Sequence, residues 1–106
     1  MKKILVVDDE PDVAELIGLF LSSLGYMADI FLSCAESMRA VESKRYWAVF
    51  CDYMMPKNTG DSLYRKIKDV DRELAKRFVI ITGAVLDEKL DAFVKTERIR
   101  LFLQGS

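Results

Sequence analysis

The stretch ILVVDDEPD, residues 4–12, decides the fold and points to the site. Four consecutive apolar residues are typical of a strand that is buried on both faces, as in a parallel sheet. The run stops abruptly at Asp8 and Asp9, and a glutamate, a proline and a third aspartate follow. So much negative charge at the end of a buried strand calls for a helix start or a bound cation that stabilises it.

Outward from this strand, the sequence alternates between short apolar runs and helical periodicity. Runs at residues 4–7, 26–31, 47–51, 78–81 and 99–103 predict five strands. Apolar residues at helical spacing predict four helices between them, and Gly25 is placed as the C-terminal stop of the first. The helical positions are Val13, Leu16, Ile17, Phe20, Leu21 and Leu24; Ala35, Met38 and Val41; Leu63, Ile67, Val70 and Leu74; and Leu86, Leu90, Phe93 and Val94.

This alternation predicts a single α/β domain over residues 1–106, with a doubly wound, flavodoxin-like parallel sheet of five strands. We expect right-handed crossovers and the strand order 2-1-3-4-5. Asp29 interrupts the second apolar run, so we place that strand near an edge. Ligands of such sheets bind beyond the carboxyl ends of the strands, at the switch point between the first and third strands.

Composition excludes several classes of protein. The 106 residues include 16 basic and 17 acidic ones, and a net charge of -1 gives no reason to expect nucleic-acid binding by bulk electrostatics. No apolar run approaches the roughly 18 residues of a membrane span, and the run behind Lys2 and Lys3 is too short for a signal peptide. We therefore expect a cytoplasmic domain with neither a nucleic-acid nor a membrane partner.

The chain contains no histidine, which removes the commonest general base and transition-metal ligand. Its two cysteines, Cys34 and Cys51, lack metal-type spacing, and Cys51 lies in an apolar run where a thiol acts as a small hydrophobe. Any chemistry must therefore use carboxylates, hydroxyls and lysines.

Polar residues follow three of the predicted strands. The first strand ends at Asp8 and Asp9, the third at Asp52 and the fourth at Thr82. Because parallel strands end at one edge of a sheet, these residues should converge, and three carboxylates together would raise each other's pKa. A hard divalent cation relieves that repulsion, and Mg²⁺ prefers oxygen ligands with one or two carboxylates among them. The cluster therefore predicts a Mg²⁺ site.

Each residue also has a purely structural interpretation. Asp9 would cap the first helix, with Pro11 in its first turn and the neighbouring acids favoured by the helix dipole. Asp52 would cap a turn, and Thr82 would be an ordinary hydroxyl at a strand end. Their coincidence at three strand ends favours a functional cluster.

Three segments resemble the response-regulator receiver domain, over residues 3–104. VVDDEPD (6–12) resembles the acidic corner of that family, and FCDYMMPKNTG (50–60) resembles its phosphorylation loop. VIITG (79–83) resembles the hydroxyl-bearing end of the fourth strand. The longer segment ELAKRFVIITG (73–83) further resembles receivers attached to hybrid sensor histidine kinases.

The resemblance implies a phosphoacceptor module of two-component signalling. Asp52 would take a phosphoryl group from a phosphohistidine of a partner kinase or phosphotransfer domain, in a self-catalysed step rather than a conventional enzymatic turnover. Asp8, Asp9, Asp52 and the backbone carbonyl of Met54 would hold Mg²⁺. Thr82 would donate its hydroxyl to the phosphoryl group, and Phe102 on the fifth strand would turn inward as the aromatic switch; plain core packing explains Phe102 equally well.

Two features depart from the family pattern. The family has a lysine at the end of the fifth strand, whereas this chain has Gln104; Lys57 and Lys95 do not match that position. The family's fifth helix, after the fifth strand, is also lacking, and the terminal Gly105-Ser106 looks like a cloning remnant, so we expect a truncated domain. An uncovered fifth strand would favour self-association.

Three other functions remain open. A pseudo-receiver, which is a binding module without a working switch, is favoured by the missing lysine and opposed by the acidic cluster. A Mg²⁺-dependent phosphatase would usually need an acid at position 54, which is a methionine. A flavin binder with this topology would need a phosphate cradle rich in Gly, Ser and Thr, whereas the first loop here is acidic.

Overall fold

The computed structural model describes residues 2–53, 55, 59–82 and 88–103 of the chain. Its five strands form one sheet in the order β2-β1-β3-β4-β5, and every neighbouring pair is parallel, which confirms the predicted topology. The strands are β1 (Lys3–Val7), β2 (Met27–Phe31), β3 (Ala48–Asp52), β4 (Phe78–Thr82) and β5 (Arg100–Leu103). Strand β2 lies at an edge, as its interruption by Asp29 predicts.

The helices are distributed unequally over the two faces of the sheet. Their bounds are α1 (Pro11–Ser23), α2 (Cys34–Ser43), α3 (Gly60–Val70), α4 (Arg72–Ala75) and α5 (Glu88–Glu97). Residues from the last four pack into one large core cluster, which includes Leu63, Ile67 and Phe78. Helix α1 packs on the opposite face in a smaller cluster with Ile4 and Val6. Because successive residues of β1 point to opposite faces, both clusters meet in the central strand.

Local sequence signals set the ends of α1 and the start of α2. Pro11 occupies the first turn of α1, where its missing N–H is not needed. Gly25 follows the C-terminus of α1 with φ of +90°, a backbone conformation that glycine adopts without steric cost, so the predicted stop is confirmed. Ser33 caps α2, and its hydroxyl accepts a hydrogen bond from Glu36 N.

The prediction of one continuous third helix was wrong. The apolar positions from Leu63 to Leu74 keep helical spacing, yet Asp71 leaves the helical backbone with φ of -153°. Its carboxylate accepts a hydrogen bond from Leu74 N at 3.0 Å and so caps the short helix α4. A side chain that satisfies a free N–H at a helix start competes with continuation of the preceding helix, and here the cap prevails.

One part of the sheet is less well covered. On the face where α1 packs, Phe50 and Val79 are only half-buried, and Arg100 at the start of β5 is exposed. Within the described residues no helix follows β5, in line with the expected lack of the fifth helix. None of the described helices is long and apolar enough to cross a membrane.

Candidate metal centre

The carboxyl ends of β1 and β3 bring three carboxylates together. The two strands are neighbours in register, with Val7 opposite Cys51, so residues that follow them meet at one edge. Oxygen atoms of Asp8, Asp9 and Asp52 all lie within 4.8 Å of one another. The convergence that the sequence predicts is therefore present in the structure.

Asp8 is the most buried member of this cluster, at 2% exposure. Burial raises the pKa of Asp8 above its ordinary value, and the negative charges of Asp9 and Glu10 raise it further. A hydrogen bond from Glu10 N to Asp8 Oδ1, at 2.9 Å, acts in the opposite direction. Desolvation is thus the largest cause of the raised pKa, and the repulsion between neighbouring acids that the sequence suggested is a smaller cause.

The proposed role of Asp9 as a helix cap does not hold. The residue at the cap position of α1 is Glu10, and its side chain makes no capping hydrogen bond. Asp9 is half-buried one residue earlier, where its carboxylate belongs to the acidic cluster. A capping function therefore does not explain why Asp9 is acidic.

Thr82 ends the strand next to β3. Ile81 lies opposite Asp52 in the register of β3 and β4, so Thr82 is one position further toward the acidic edge. Its side chain is buried, at 2% exposure. This placement suits a hydroxyl that acts near Asp52, and that role stays a prediction.

Several predicted positions cannot be placed. Met54, Lys57 and Gln104 lie outside the described residues. The backbone of Phe102 is in β5, opposite Ile81, but its side chain is also outside the described part, so the aromatic switch stays a prediction. Lys95 is exposed on α5 and pairs with Asp91 at 3.0 Å, so it is engaged away from the acidic edge.

Gly60 supports the site in a way that the sequence analysis did not foresee. A Cβ at this position would lie 2.9 Å from Ile80 Cδ1 and 3.2 Å from both the carbonyl oxygen of Asp52 and the Cα of Tyr53. Gly60 N also donates a hydrogen bond to the carbonyl of Tyr53 at 2.9 Å. Only a residue without a side chain allows α3 to begin so close to the backbone of the nucleophile candidate. The sequence feature that could have predicted this close approach is the glycine itself, eight residues beyond Asp52.

We expect Gly60→Ala to lower the free energy of unfolding by about 1–3 kcal/mol, because the new methyl group meets backbone atoms that cannot rotate away. Gly18→Ala is the matched control. Its Cβ would meet only the flexible end of Ile30, at 3.0 Å, and alanine favours the helix interior by up to about 1 kcal/mol. Urea unfolding followed by circular dichroism measures both variants. Equal stability of the two variants would contradict this account of Gly60.

A second feature that sequence patterns did not indicate is a groove of about 820 Å³ between α3 and α5. It begins at Tyr53, the residue after Asp52, and charged side chains line it. Lys68 pairs with Glu97 across the two helices at 3.1 Å, and the guanidinium of Arg65 lies 5.9 Å from the ring centre of Phe93. These contacts join α3 to α5, and the Lys68–Glu97 pair lies in their last turns, at the end of the fold opposite the acidic edge.

The acidic cluster fits a hard divalent cation. Its donors are carboxylate oxygens alone, which suits Mg²⁺ and not a metal that prefers nitrogen or sulfur. The burial of Asp8 beside two further carboxylates leaves like charges close together, and a bound dication would neutralise them. Water and a phosphate oxygen would complete the coordination that Mg²⁺ requires.

Comparison with known proteins gives the family. The pattern described as response regulator receiver domain matches residues 4–101. The transcriptional regulatory protein DltR of Streptococcus agalactiae is 27% identical over 86 residues, which are 81% of this chain and 38% of DltR. The chain thus spans well under half the length of that relative.

Solved structures similar to this chain indicate the same family. The response regulator TrrA of Thermotoga maritima in complex with Mg²⁺-BeF is 25% identical, with a TM-score of 0.83 over 100% of this chain and 88% of TrrA. In the complex of TrrA with the histidine kinase ThkA, the identity is 27% and the TM-score 0.83, over 99% of this chain and 87% of the matched chain. Sheet order, acidic edge and sequence pattern agree, and the chain belongs to the response regulator receiver domain family.

Proposed function

We propose that this domain takes a phosphoryl group from a partner histidine kinase onto Asp52, as a receiver module of two-component signalling. One observation carries the proposal: three carboxylates lie within 4.8 Å of one another at the strand edge of a receiver-family chain. A cluster of this kind would hold Mg²⁺ and present one carboxylate as a nucleophile. The buried hydroxyl of Thr82 ends the neighbouring strand.

The transfer step uses the carboxylate of Asp52 directly. An oxygen of Asp52 forms a bond to phosphorus while the bond between phosphorus and the imidazole nitrogen of the kinase breaks, and the imidazole leaves with the electron pair. Asp8, Asp9 and the carbonyl of Met54 would hold Mg²⁺ beside Asp52. When bound there, Mg²⁺ supplies positive charge against the oxygens of the transferring group, so catalysis is mainly positioning and electrostatics.

Phosphorylation of Asp52 would shift the domain between two conformations. A phosphoryl group adds negative charge and acceptor oxygens at Asp52, and the hydroxyl of Thr82 would donate to one of them. Movement of Thr82 would open space that Phe102 fills. This local change would then reach the surfaces that meet the next protein in the pathway.

The kinase partner is supported by the complex of the similar regulator TrrA with the histidine kinase ThkA. A phosphorelay in the cytoplasm, with this domain as an intermediate acceptor, is consistent with such a partner. Self-association through the β5 region stays a prediction; light scattering that gives a single monomer mass would contradict it.

The second candidate function is a pseudo-receiver that binds a partner without being phosphorylated. The observation that favours it is Gln104, where the family has the lysine that pairs with the phosphoryl group. Without that cation, the phosphorylated state would be less stable or less well coupled to Thr82. The acidic cluster itself favours the phosphoacceptor, because a binding module does not need three adjacent carboxylates.

The deciding experiment is the intact mass of the protein after incubation with a small phosphodonor, with Mg²⁺ and with a chelator. We expect a gain of one phosphoryl group that occurs only with Mg²⁺, because the transferring group would otherwise meet uncompensated negative charge. No gain under either condition would contradict the proposal and favour the pseudo-receiver. A gain that is equal with the chelator would contradict the metal assignment.

A further inference from the structure

The edge of the sheet where the strands begin is basic, and it lies opposite the acidic cluster. We propose that this edge is a peripheral docking surface for an anionic phospholipid bilayer. The proposal goes beyond the phosphoacceptor function and does not rest on it. It also replaces the expectation, drawn from net charge and the lack of an apolar span, that the domain has no membrane partner.

Four neighbouring strands are each entered through basic residues. Within the described part of the chain, six of these residues form no ion pair: Lys2, Lys3, Arg45, Arg77, Arg98 and Arg100. Two more at the same edge are neutralised, since Lys44 lies 3.8 Å from Asp29 and Lys76 lies 3.0 Å from Glu73. The unpaired charges therefore form a positive row along β1, β3, β4 and β5.

Backbone hydrogen bonds make this row continuous. Met27 N donates to the carbonyl of Lys2 at 3.0 Å, and Trp47 N donates to that of Lys3 at 2.8 Å. Val49 N, in β3, donates to the carbonyl of Arg77 at 2.9 Å. Arg100 lies opposite Val79 in the register of β4 and β5. With neighbouring strands about 4.8 Å apart, the row spans roughly 15 Å.

The charge of the whole domain is strongly separated. Glu42, Asp69 and Asp71, at the ends of α2 and α3, lie at the same end of the fold, as does Glu97, which pairs with Lys68. Three acids without a basic partner in the described ion pairs reduce the positive excess of six basic residues without cancelling it. Asp8, Asp9 and Asp52 lie at the other end of five-residue strands, about 16 Å away. An anionic surface would attract one edge and repel the other, so both effects favour one orientation, in which the acidic cluster faces away from the lipid.

Exposed apolar side chains favour a bilayer over nucleic acid. Leu24, just after α1, is 58% exposed, and Met27, at the start of β2, is 47% exposed; Met27 lies beside Lys2 and Lys3. Such side chains gain from burial at the boundary of headgroups and acyl chains, and they gain nothing from a phosphate backbone. Cations next to exposed apolar groups are the pattern of peripheral membrane binding.

The single tryptophan points the same way. The ring of Trp47 stacks on Tyr26 with centroids 5.7 Å apart, and the ammonium of Lys2 lies 4.2 Å from its centroid. The guanidinium of Arg77 lies 5.4 Å from the same centroid. Because Tyr26, Lys2 and Arg77 contact the Trp47 ring, the ring cannot serve as a stacking platform for nucleic-acid bases. Tryptophan and tyrosine half-buried at such an edge suit a membrane interface.

Sedimentation with lipid vesicles tests the proposal on the full 106-residue chain. We expect binding to vesicles of equal parts phosphatidylcholine and phosphatidylglycerol, little binding to pure phosphatidylcholine, and loss of binding as salt rises. The triple variant Arg45→Glu/Arg98→Glu/Arg100→Glu should bind about a hundredfold more weakly, since each basic residue near an anionic surface raises the affinity about fivefold. Its phosphoryl uptake from a small phosphodonor should be unchanged, which separates this proposal from the proposed function.

The matched control is Arg39→Glu/Lys66→Glu/Lys89→Glu, which changes net charge equally at exposed positions on α2, α3 and α5. This variant should keep most of the vesicle binding. An equal loss in both triple variants, with circular dichroism showing both folded, would overturn the proposal, because net charge and not the edge would then control binding. Equal binding of the wild type to neutral and anionic vesicles would overturn it as well.

A double variant, Leu24→Ser/Met27→Ser, tests the apolar contribution. We expect several-fold weaker vesicle binding and no change in any weak binding to a short DNA duplex at the same salt. Binding to the duplex that is tighter than binding to anionic vesicles and insensitive to the double variant would assign the edge to nucleic acid and overturn the proposal.

Discussion

The Asp52→Asn variant should take up no phosphoryl group from a small phosphodonor with Mg²⁺ present, under conditions in which the wild type gains one. The asparagine amide has nearly the same shape as the carboxylate, but it is a far weaker nucleophile and brings no charge to the acidic cluster. The other two acids, Asp8 and Asp9, follow a different strand and are expected to act as metal ligands. Intact mass measures the uptake directly.

The chain offers a matched control in Asp61→Asn. Asp61 lies in the first turn of α3, where its carboxylate accepts hydrogen bonds from Thr59 and, at 3.0 Å, from Arg65. It is therefore engaged outside the acidic cluster, and its variant should gain the phosphoryl group as the wild type does. Uptake by Asp52→Asn, or loss of uptake by Asp61→Asn alone, would show that the acceptor has been assigned to the wrong residue.

The second large effect is expected from Asp8→Asn. At Mg²⁺ a hundredfold above the dissociation constant, binding should stabilise the wild type by about 2.7 kcal/mol. Loss of a supporting residue around a metal costs 10–100-fold in affinity, so loss of a buried ligand carboxylate should cost about a hundredfold. At the same Mg²⁺ concentration, the variant would then gain only about 0.4 kcal/mol.

Without Mg²⁺, the Asp8→Asn variant should be more stable than the wild type. Asparagine keeps an oxygen that can accept the hydrogen bond from Glu10 N and removes a buried negative charge beside Asp9. Urea unfolding with and without Mg²⁺ measures both effects. Asp12→Asn, an exposed acid outside the cluster, should keep the wild-type response to Mg²⁺. A full Mg²⁺ response in Asp8→Asn would contradict the assignment of Asp8 as a ligand.

The central features of fold and site follow from the sequence because they depend on simple periodicities. A continuous apolar run is typical of a strand that is buried on both faces of a parallel sheet, and parallel strands end at a common edge. These two rules suffice to bring Asp8, Asp9 and Asp52 together, and their oxygens do lie within 4.8 Å of one another.

Features that depend on a single local contact were harder to predict. The break between α3 and α4 results from one hydrogen bond between Asp71 and Leu74 N, within an apolar pattern that continues unchanged. Gly60 is needed because the backbone carbonyl of Asp52 comes close to the start of α3, and no periodic pattern in the sequence indicates such a contact. Net charge carries no information about how charge is distributed: a value of -1 averages a basic edge and an acidic edge that the fold places at opposite ends.

The parallel sheet also determines the order in which the domain can be assembled. It contains no hairpin, and every pair of neighbouring strands joins residues more than twenty positions apart, as in the pairs Ile4 with Ala48 and Val49 with Phe78. Such non-local pairing forms slowly compared with local contacts. During synthesis, the three carboxylates can meet once β1 and β3 pair, while Thr82 and β5 still have to be made. The carboxylates proposed to bind the cation therefore belong to the first half of the chain and the residues proposed to act as the switch to the second, and the pairing of β3 with β4 connects them.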